Sequence, residues 1–79
     1  MHIGKDLREV KLKQLLKAEG YASIEELYPV VLGDVVSPAI CIEPHCDYTC
    51  EMEPDQTEGY CEACGGNTVV SALILAGLI

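Results

Sequence analysis

Five cysteines in a chain of 79 residues are the side chains best suited to do chemistry. Cys61 and Cys64 stand in the run Cys61-Glu62-Ala63-Cys64-Gly65-Gly66, a spacing at which a tight backbone knuckle presents two thiolates to one metal ion. The glycines after the pair allow the chain to turn through positive φ and aim amides at the sulfurs. A closed structural Zn²⁺ site takes four ligands, so one pair is half a site. Cys41 and Cys46 supply the other half, with Pro44 between them, and the whole pattern is Cys-x4-Cys-x14-Cys-x2-Cys. Four thiolates leave no open coordination position for water. Such a site organises structure and hydrolyses nothing, and its binding free energy is folding free energy for the half-chain around it.

Five candidates for four places require a choice. On one extended strand, Cys46 and Cys50 would be about 13 Å apart at ~3.3 Å per residue, too far for two sulfurs each near ~2.3 Å from a shared ion. The segment from Cys41 to Cys46 can instead fold back at Pro44. Cys50 also alternates in phase with Tyr48 and Met52, which makes it an inward-facing core thiol. His45 adjoins Cys46 and is a rival to Cys41 as a ligand, but a solvated loop histidine is the plainer reading. The predicted ligands are therefore Cys41, Cys46, Cys61 and Cys64. Zinc is expected over iron, which four thiolates would also hold in a rubredoxin-like centre, because zinc makes no redox demand.

Charge bounds the function. Five Lys and Arg stand against 13 Asp and Glu, for a net charge of −8. All five basic residues (Lys5, Arg8, Lys11, Lys13, Lys17) precede residue 18, whereas seven acids and no Lys or Arg follow Cys41. Phosphate backbones and anionic membranes both reward clustered cations, so most of this chain is repelled by them. No paired carboxylates, Gly-rich phosphate loop or open metal position points to an enzyme. The N-terminus shows no apolar signal segment, and the apolar run from Val69 to Ile79 is too short for a membrane span, which needs about 20 residues. An odd number of thiols without a secretory signal fits a reduced, cytoplasmic protein better than a disulfide framework.

The elements that must position the cysteines come in two styles. Leu12, Leu15 and Leu16 recur at helical spacing, with Lys11, Lys13, Gln14 and Lys17 read as the polar surround, and Gly20 ends that helix. Ser23-Ile24-Glu25-Glu26 is a capping-box pattern that starts a second helix, with Ile24, Leu27 and Tyr28 facing inward. Pro29, a turn into that helix, should shorten or bend it. Gly33-Asp34 and Ser37-Pro38 are expected as loops. Beyond them the period changes: Tyr48, Cys50 and Met52 alternate with Thr49, Glu51 and Glu53 as a strand with one wet face. Residues 54–59 form a polar turn. Asn67 to Leu75 reads as a final strand buried on both sides, although the run from Ser71 to Ala76 would also tolerate helix.

From Cys41 to Leu75, knuckle, strand, turn, knuckle and strand resemble a zinc ribbon. More closely, Cys46-Asp47-Tyr48, Glu53-Pro54-Asp55-Gln56, Gly59-Tyr60-Cys61 and Cys64-Gly65-Gly66-Asn67-Thr68-Val69 are similar to small uncharacterised zinc-ribbon proteins of bacteria and their phages. The likeness covers about half of the chain and extends loosely through the run from Leu15 to Tyr21. It implies a fold and a metal but no activity. The expectation is thus an α+β protein, a single domain over 1–79, with two short N-terminal helices in 1–36 and a C-terminal zinc ribbon in 37–79 (a small antiparallel sheet with two cysteine knuckles). The expected role is a non-catalytic interaction or regulatory module with a protein partner. The alternative is a nucleic-acid-binding or transcription-related ribbon using Lys5, Arg8, Lys11, Lys13 and Lys17. A homodimer through the C-terminal apolar segment is a further expectation.

Overall fold

Leucines at helical spacing and the absence of β-branched runs favour the first helix, α1 (Lys5–Glu19), in a computed structural model that describes residues 5–34, 36–56 and 58–78. Asp6 in its first turn and Lys17 in its last complement the helix dipole. Gly20, at φ 85°, ends it: the Gly20 amide donates to Lys17 O at 3.3 Å and the Tyr21 amide to Leu16 O at 2.9 Å. Those two reversed bonds satisfy carbonyls that the last turn leaves open.

The second helix, α2 (Ile24–Asp34), starts where the capping pattern places it. The Glu26 carboxylate accepts from the Ala22 amide at 3.4 Å, rather than from Ser23 as the capping-box reading supposes. Leu27 and Val31 are fully buried, whereas Ile24 and Tyr28 are half-buried. Two expectations are corrected here. The helix runs through Pro29, and it continues over Gly33 to Asp34 instead of yielding to a loop. Pro29 lies beyond the first turn, so it gives up the amide bond to Glu25 O and crowds that carbonyl, and burial of Leu27 and Val31 on either side of it offsets the cost.

Ser37 and Pro38 are not a loop. They open β1 (Ser37–Cys41), a strand buried throughout that is the central one of a three-stranded antiparallel sheet. On one side β1 pairs with β2 (Thr49–Met52), Ala39 opposite Cys50; on the other it pairs with β3 (Val69–Ser71), Ile40 opposite Val70. Proline survives in a central strand because of where its missing donor points. The Cys41 amide goes to Tyr48 O and the Ile42 amide to Thr68 O, so by alternation Pro38 faces β3. Pairing on that side has already ended at Ala39 and Ser71, which makes Pro38 in effect an edge residue.

The expected final strand is shorter than the sequence suggests. After Ser71 the chain turns into a one-turn helix, α3 (Ala72–Leu75), with Ser71 as its N-cap accepting from the Ile74 amide. The Ser71 hydroxyl also donates to Pro54 O, tying the turn after β2 to the end of β3. A side chain with two such bonds favours the break from strand to helix.

The sheet separates two apolar clusters. On one face Ile40, Ile42 and Val70 join Leu15, Leu16, Leu27, Val31, Ala72, Leu73 and Leu75. On the other, Ala39, Cys41, Val69 and Cys61 are buried, with Cys46, Tyr48, Cys50 and Met52 packed against them. The C-terminal apolar run proposed as a dimer surface is thus largely used inside the chain: Val69, Val70, Ala72, Leu73 and Leu75 are buried and Leu78 is exposed. Ile79 lies outside the described residues. Among the described residues, no helix is long and apolar enough to cross a membrane.

Candidate metal centre

The first knuckle grows out of the β1–β2 hairpin. Cys41 is the last residue of β1, and the chain turns back through Glu43-Pro44-His45, where the Cys46 amide donates to Glu43 O at 3.0 Å. The Cys41 amide donates to Tyr48 O at 2.9 Å and closes the base of this loop. Pro44 fixes φ inside the turn and so limits the conformations that bring Cys46 back over Cys41.

The second knuckle is held from both ends. Gly59 exchanges two backbone bonds with Val69, at 2.8 and 2.9 Å, and the Cys61 amide donates to Gly66 O at 2.8 Å. Between these anchors the Gly65 amide donates to Cys61 O at 2.7 Å, and the Cys64 amide points at Cys61 Sγ at 3.2 Å. Gly65 sits at φ 80°, where an L side chain would be strained.

These two turns bring four sulfurs together. Sγ of Cys41, Cys46, Cys61 and Cys64 all lie within 4.8 Å of one another. Cys41 to Cys64 and Cys46 to Cys61 are each 3.7 Å apart. A tetrahedron with a metal–sulfur length of ~2.3 Å has an edge of about 3.8 Å, so these separations fit an ion of zinc's size among four thiolates. All five cysteines are free thiols, and a disulfide would demand a sulfur separation near ~2.05 Å. The donor set is soft and its geometry closed, which suits Zn²⁺ or iron and not a hard cation.

The remaining candidates lie elsewhere. Cys50 is half-buried against the metal-side cluster and outside the four-sulfur group. Burial pushes its thiol up, as expected of a packed residue that stays neutral. His45 is exposed in the first turn and is also outside the group.

Four thiols this close cannot all ionise without a cation among them. Burial opposes ionisation of Cys61, yet the Cys64 amide, the neighbouring thiols of Cys46 and Cys41 and the Ala63 amide outweigh it and bring Cys61 down to about 7. Cys64 moves the other way, far above the usual thiol range, first through its contact with Cys46 and then through burial. Cys46 is also raised: the Tyr48 amide and Cys64 pull it down, but burial, Cys41 and Cys61 together push it further up. Of these three, Cys61 is thus the readiest to ionise and Cys46 and Cys64 resist, and a dication among the sulfurs would favour the thiolate forms.

Two residues of this centre escape the sequence reading. The Thr68 hydroxyl lies 3.0 Å from Cys41 Sγ, placed to donate to a thiolate there. Lys11, read as part of the polar surround of α1, is instead fully buried, with its ammonium donating to Cys46 O. Its helical phase carried the signal, because Lys11 stands one turn before Leu15 and so on the same stripe. The other basic candidates are spread out. Arg8 is half-buried and donates to Ile74 O at 3.0 Å, Lys13 and Lys17 are exposed, and the Lys5 side chain lies outside the described residues. Comparison of the chain with protein-family models, with curated proteins and with solved structures finds no match.

Proposed function

We propose that this chain is a small zinc-binding interaction module in which one Zn²⁺, held by Cys41, Cys46, Cys61 and Cys64, organises the sheet without catalysing a reaction. One observation carries this reading: four sulfurs from two separate turns converge within 4.8 Å of one another, two of the pairs at 3.7 Å, on the face of a sheet whose own apolar cluster is small. A full thiolate shell has no vacant position for substrate or water, so the ion's contribution is to folding.

The surface supports a protein partner of basic character. All seven acids of the second half (Glu43, Asp47, Glu51, Glu53, Asp55, Glu58, Glu62) are exposed. Binding one Zn²⁺ with four thiolates adds a net two negative charges to the −8 of the chain. A field of that sign steers association with positively charged proteins and opposes association with phosphate backbones. The nucleic-acid alternative has less support, since among the described basic side chains Lys11 is buried and Arg8 is engaged with Ile74 O. A reduced, cytoplasmic setting is part of the proposal, because thiolate ligands persist there.

Metal analysis of protein purified without added zinc tests the centre, with about one zinc per chain expected and EDTA removing the sheet signal in circular dichroism. Ordered, metal-free protein indifferent to EDTA overturns it. Crosslinking at physiological salt tests the role: a basic protein partner is expected, and tight, salt-resistant binding of nucleic acid instead would sink the interaction reading.

A further inference from the structure

A lysine with no exposed surface is rare, because removing an ammonium from water costs several kcal/mol unless opposite charge is near. Lys11 is such a residue, and among the described residues its hydrogen-bond partner is a carbonyl, that of Cys46, rather than a carboxylate. A carbonyl satisfies one of the three donors on an ammonium and supplies no countercharge. The carbonyl belongs to a residue whose sulfur is one of the four gathered at the candidate centre. Four thiolates around a dication would carry a net charge of −2, beside the very carbonyl that holds the ammonium.

We infer that Lys11 is the internal countercharge and positioning residue of the metal centre, tying α1 to the first knuckle. This rests on the metal reading above and goes beyond it, since a structural site needs only its four ligands. From one side, the ammonium holds the Cys46 carbonyl, and with it the turn that aims Cys46 Sγ at the ion. From the other, the charge of the thiolate shell makes burial of the ammonium favourable, and Leu15, one turn along, is buried in the helix-side core. Metal loading and docking of α1 therefore stabilise each other, as outer-shell partners elsewhere orient ligands and raise affinity.

The test uses the whole chain with Lys11→Met, Lys11→Arg and, as a control, Leu15→Ala, which loosens the same helix without altering charge. Each is measured for zinc retention against a chelator and, after iron substitution, for midpoint potential. Reduction makes the iron–thiolate centre more negative, so loss of a nearby cation lowers the potential. Lys11→Met is expected to weaken zinc binding roughly tenfold to a hundredfold and to lower the potential, and Lys11→Arg to restore part of both. Leu15→Ala is expected to melt earlier with its potential unchanged. Should Lys11→Met not fold with zinc present, Lys11→Gln keeps a donor toward Cys46 O while losing the charge, and its potential is expected to fall. Unchanged zinc retention and potential in the neutral variants overturns the inference, as does an equal shift in Leu15→Ala. Wild-type protein that takes up neither zinc nor iron overturns the metal reading itself, which distinguishes the two failures.

Discussion

The same substitution, glycine to alanine, should have opposite effects at two places in this chain. At Gly59, a β carbon would lie 2.7 Å from Met52 Sδ and 3.1 Å from Val69 Cβ. Met52 is half-buried and its thioether can swing aside, but Val69 has no exposed surface and is bonded to Gly59 in both directions. The backbones must therefore separate by a few tenths of an ångström, loosening the bridge that anchors the second knuckle. Overpacking of this kind costs about 1–3 kcal/mol, and the lower entropy of the unfolded alanine chain returns roughly 0.4–1 kcal/mol. At the midpoints of both ranges the net loss is about 1.3 kcal/mol, which for a domain of this size lowers Tm by roughly 5–10 °C. Gly33 is the counter-case. It lies in α2, exposed, with no heavy atom within 4 Å of the β carbon, so alanine there should gain about 0.5–1 kcal/mol of helix propensity. Thermal melts of the two zinc-loaded variants decide the matter. A Gly59→Ala protein as stable as wild type would mean that the knuckle is not fastened to β3 through this contact.

Two further outcomes follow from the sulfurs. Cys50→Ser should keep one zinc per chain and lose at most about 1 kcal/mol from its half-buried hydroxyl, whereas Cys46→Ser should weaken zinc binding by orders of magnitude; thiolate-to-cobalt absorbance in the Co²⁺ form reads both. Zinc affinity should fall steeply as pH drops, since ordinary thiols near ~8.5 hold their protons at pH 7 and about four must leave on binding. The sign follows from proton release: every thiol still protonated in the metal-free protein must lose its proton to ligate, so affinity falls as pH falls, and Cys61, brought down to about 7, contributes the least to that slope. A competition titration between pH 7 and 6 should show affinity changing by nearly four decades per pH unit, and a slope near two would exclude a four-thiolate centre.

Legibility in the sequence tracked how many faces of an element are buried. Cys50 was readable as a core thiol because β2 has one wet side, so Glu51 and Glu53 mark the phase. The central strand was not, because Ser37 to Cys41 is buried on both faces and displays no alternation at all. Its residues also mislead locally, since Ser-Pro is a turn signal and only Ile40 favours strand. The loss of β3 to a helix after Ser71 depends on the hydroxyl's bonds to Pro54 O and the Ile74 amide, the first of which bridges 17 positions of sequence. The four clustered cysteines were legible because ligand spacing is a local property of a knuckle. Thr68 and Lys11 were not, since each reaches the centre only through tertiary contact, from 27 residues beyond Cys41 and 35 before Cys46.

The placement of the clusters explains why a metal on one face of the sheet should govern helices on the other. Ile40 in β1 and Ile42 just beyond it join the helix-side cluster, but they alternate with Ala39 and Cys41, which belong to the cysteine side. Two of the four fully buried residues there, Cys41 and Cys61, are candidate ligands, so without an ion that face has little apolar surface to bury. Both neighbours of β1 are fixed through the knuckles as well: β2 through the loop closed by Cys41 and Tyr48, and β3 through the bonds of Val69 to Gly59. On the zinc-binding reading, freeing the thiolates is therefore expected to loosen both neighbours of the central strand at once, and with them the surface on which Leu15 and Leu16 rest. Folding of the helical half would then, on the same reading, be coupled to occupancy of a site to which that half contributes no sulfur, with the Lys11 ammonium on Cys46 O as a direct side-chain link between them.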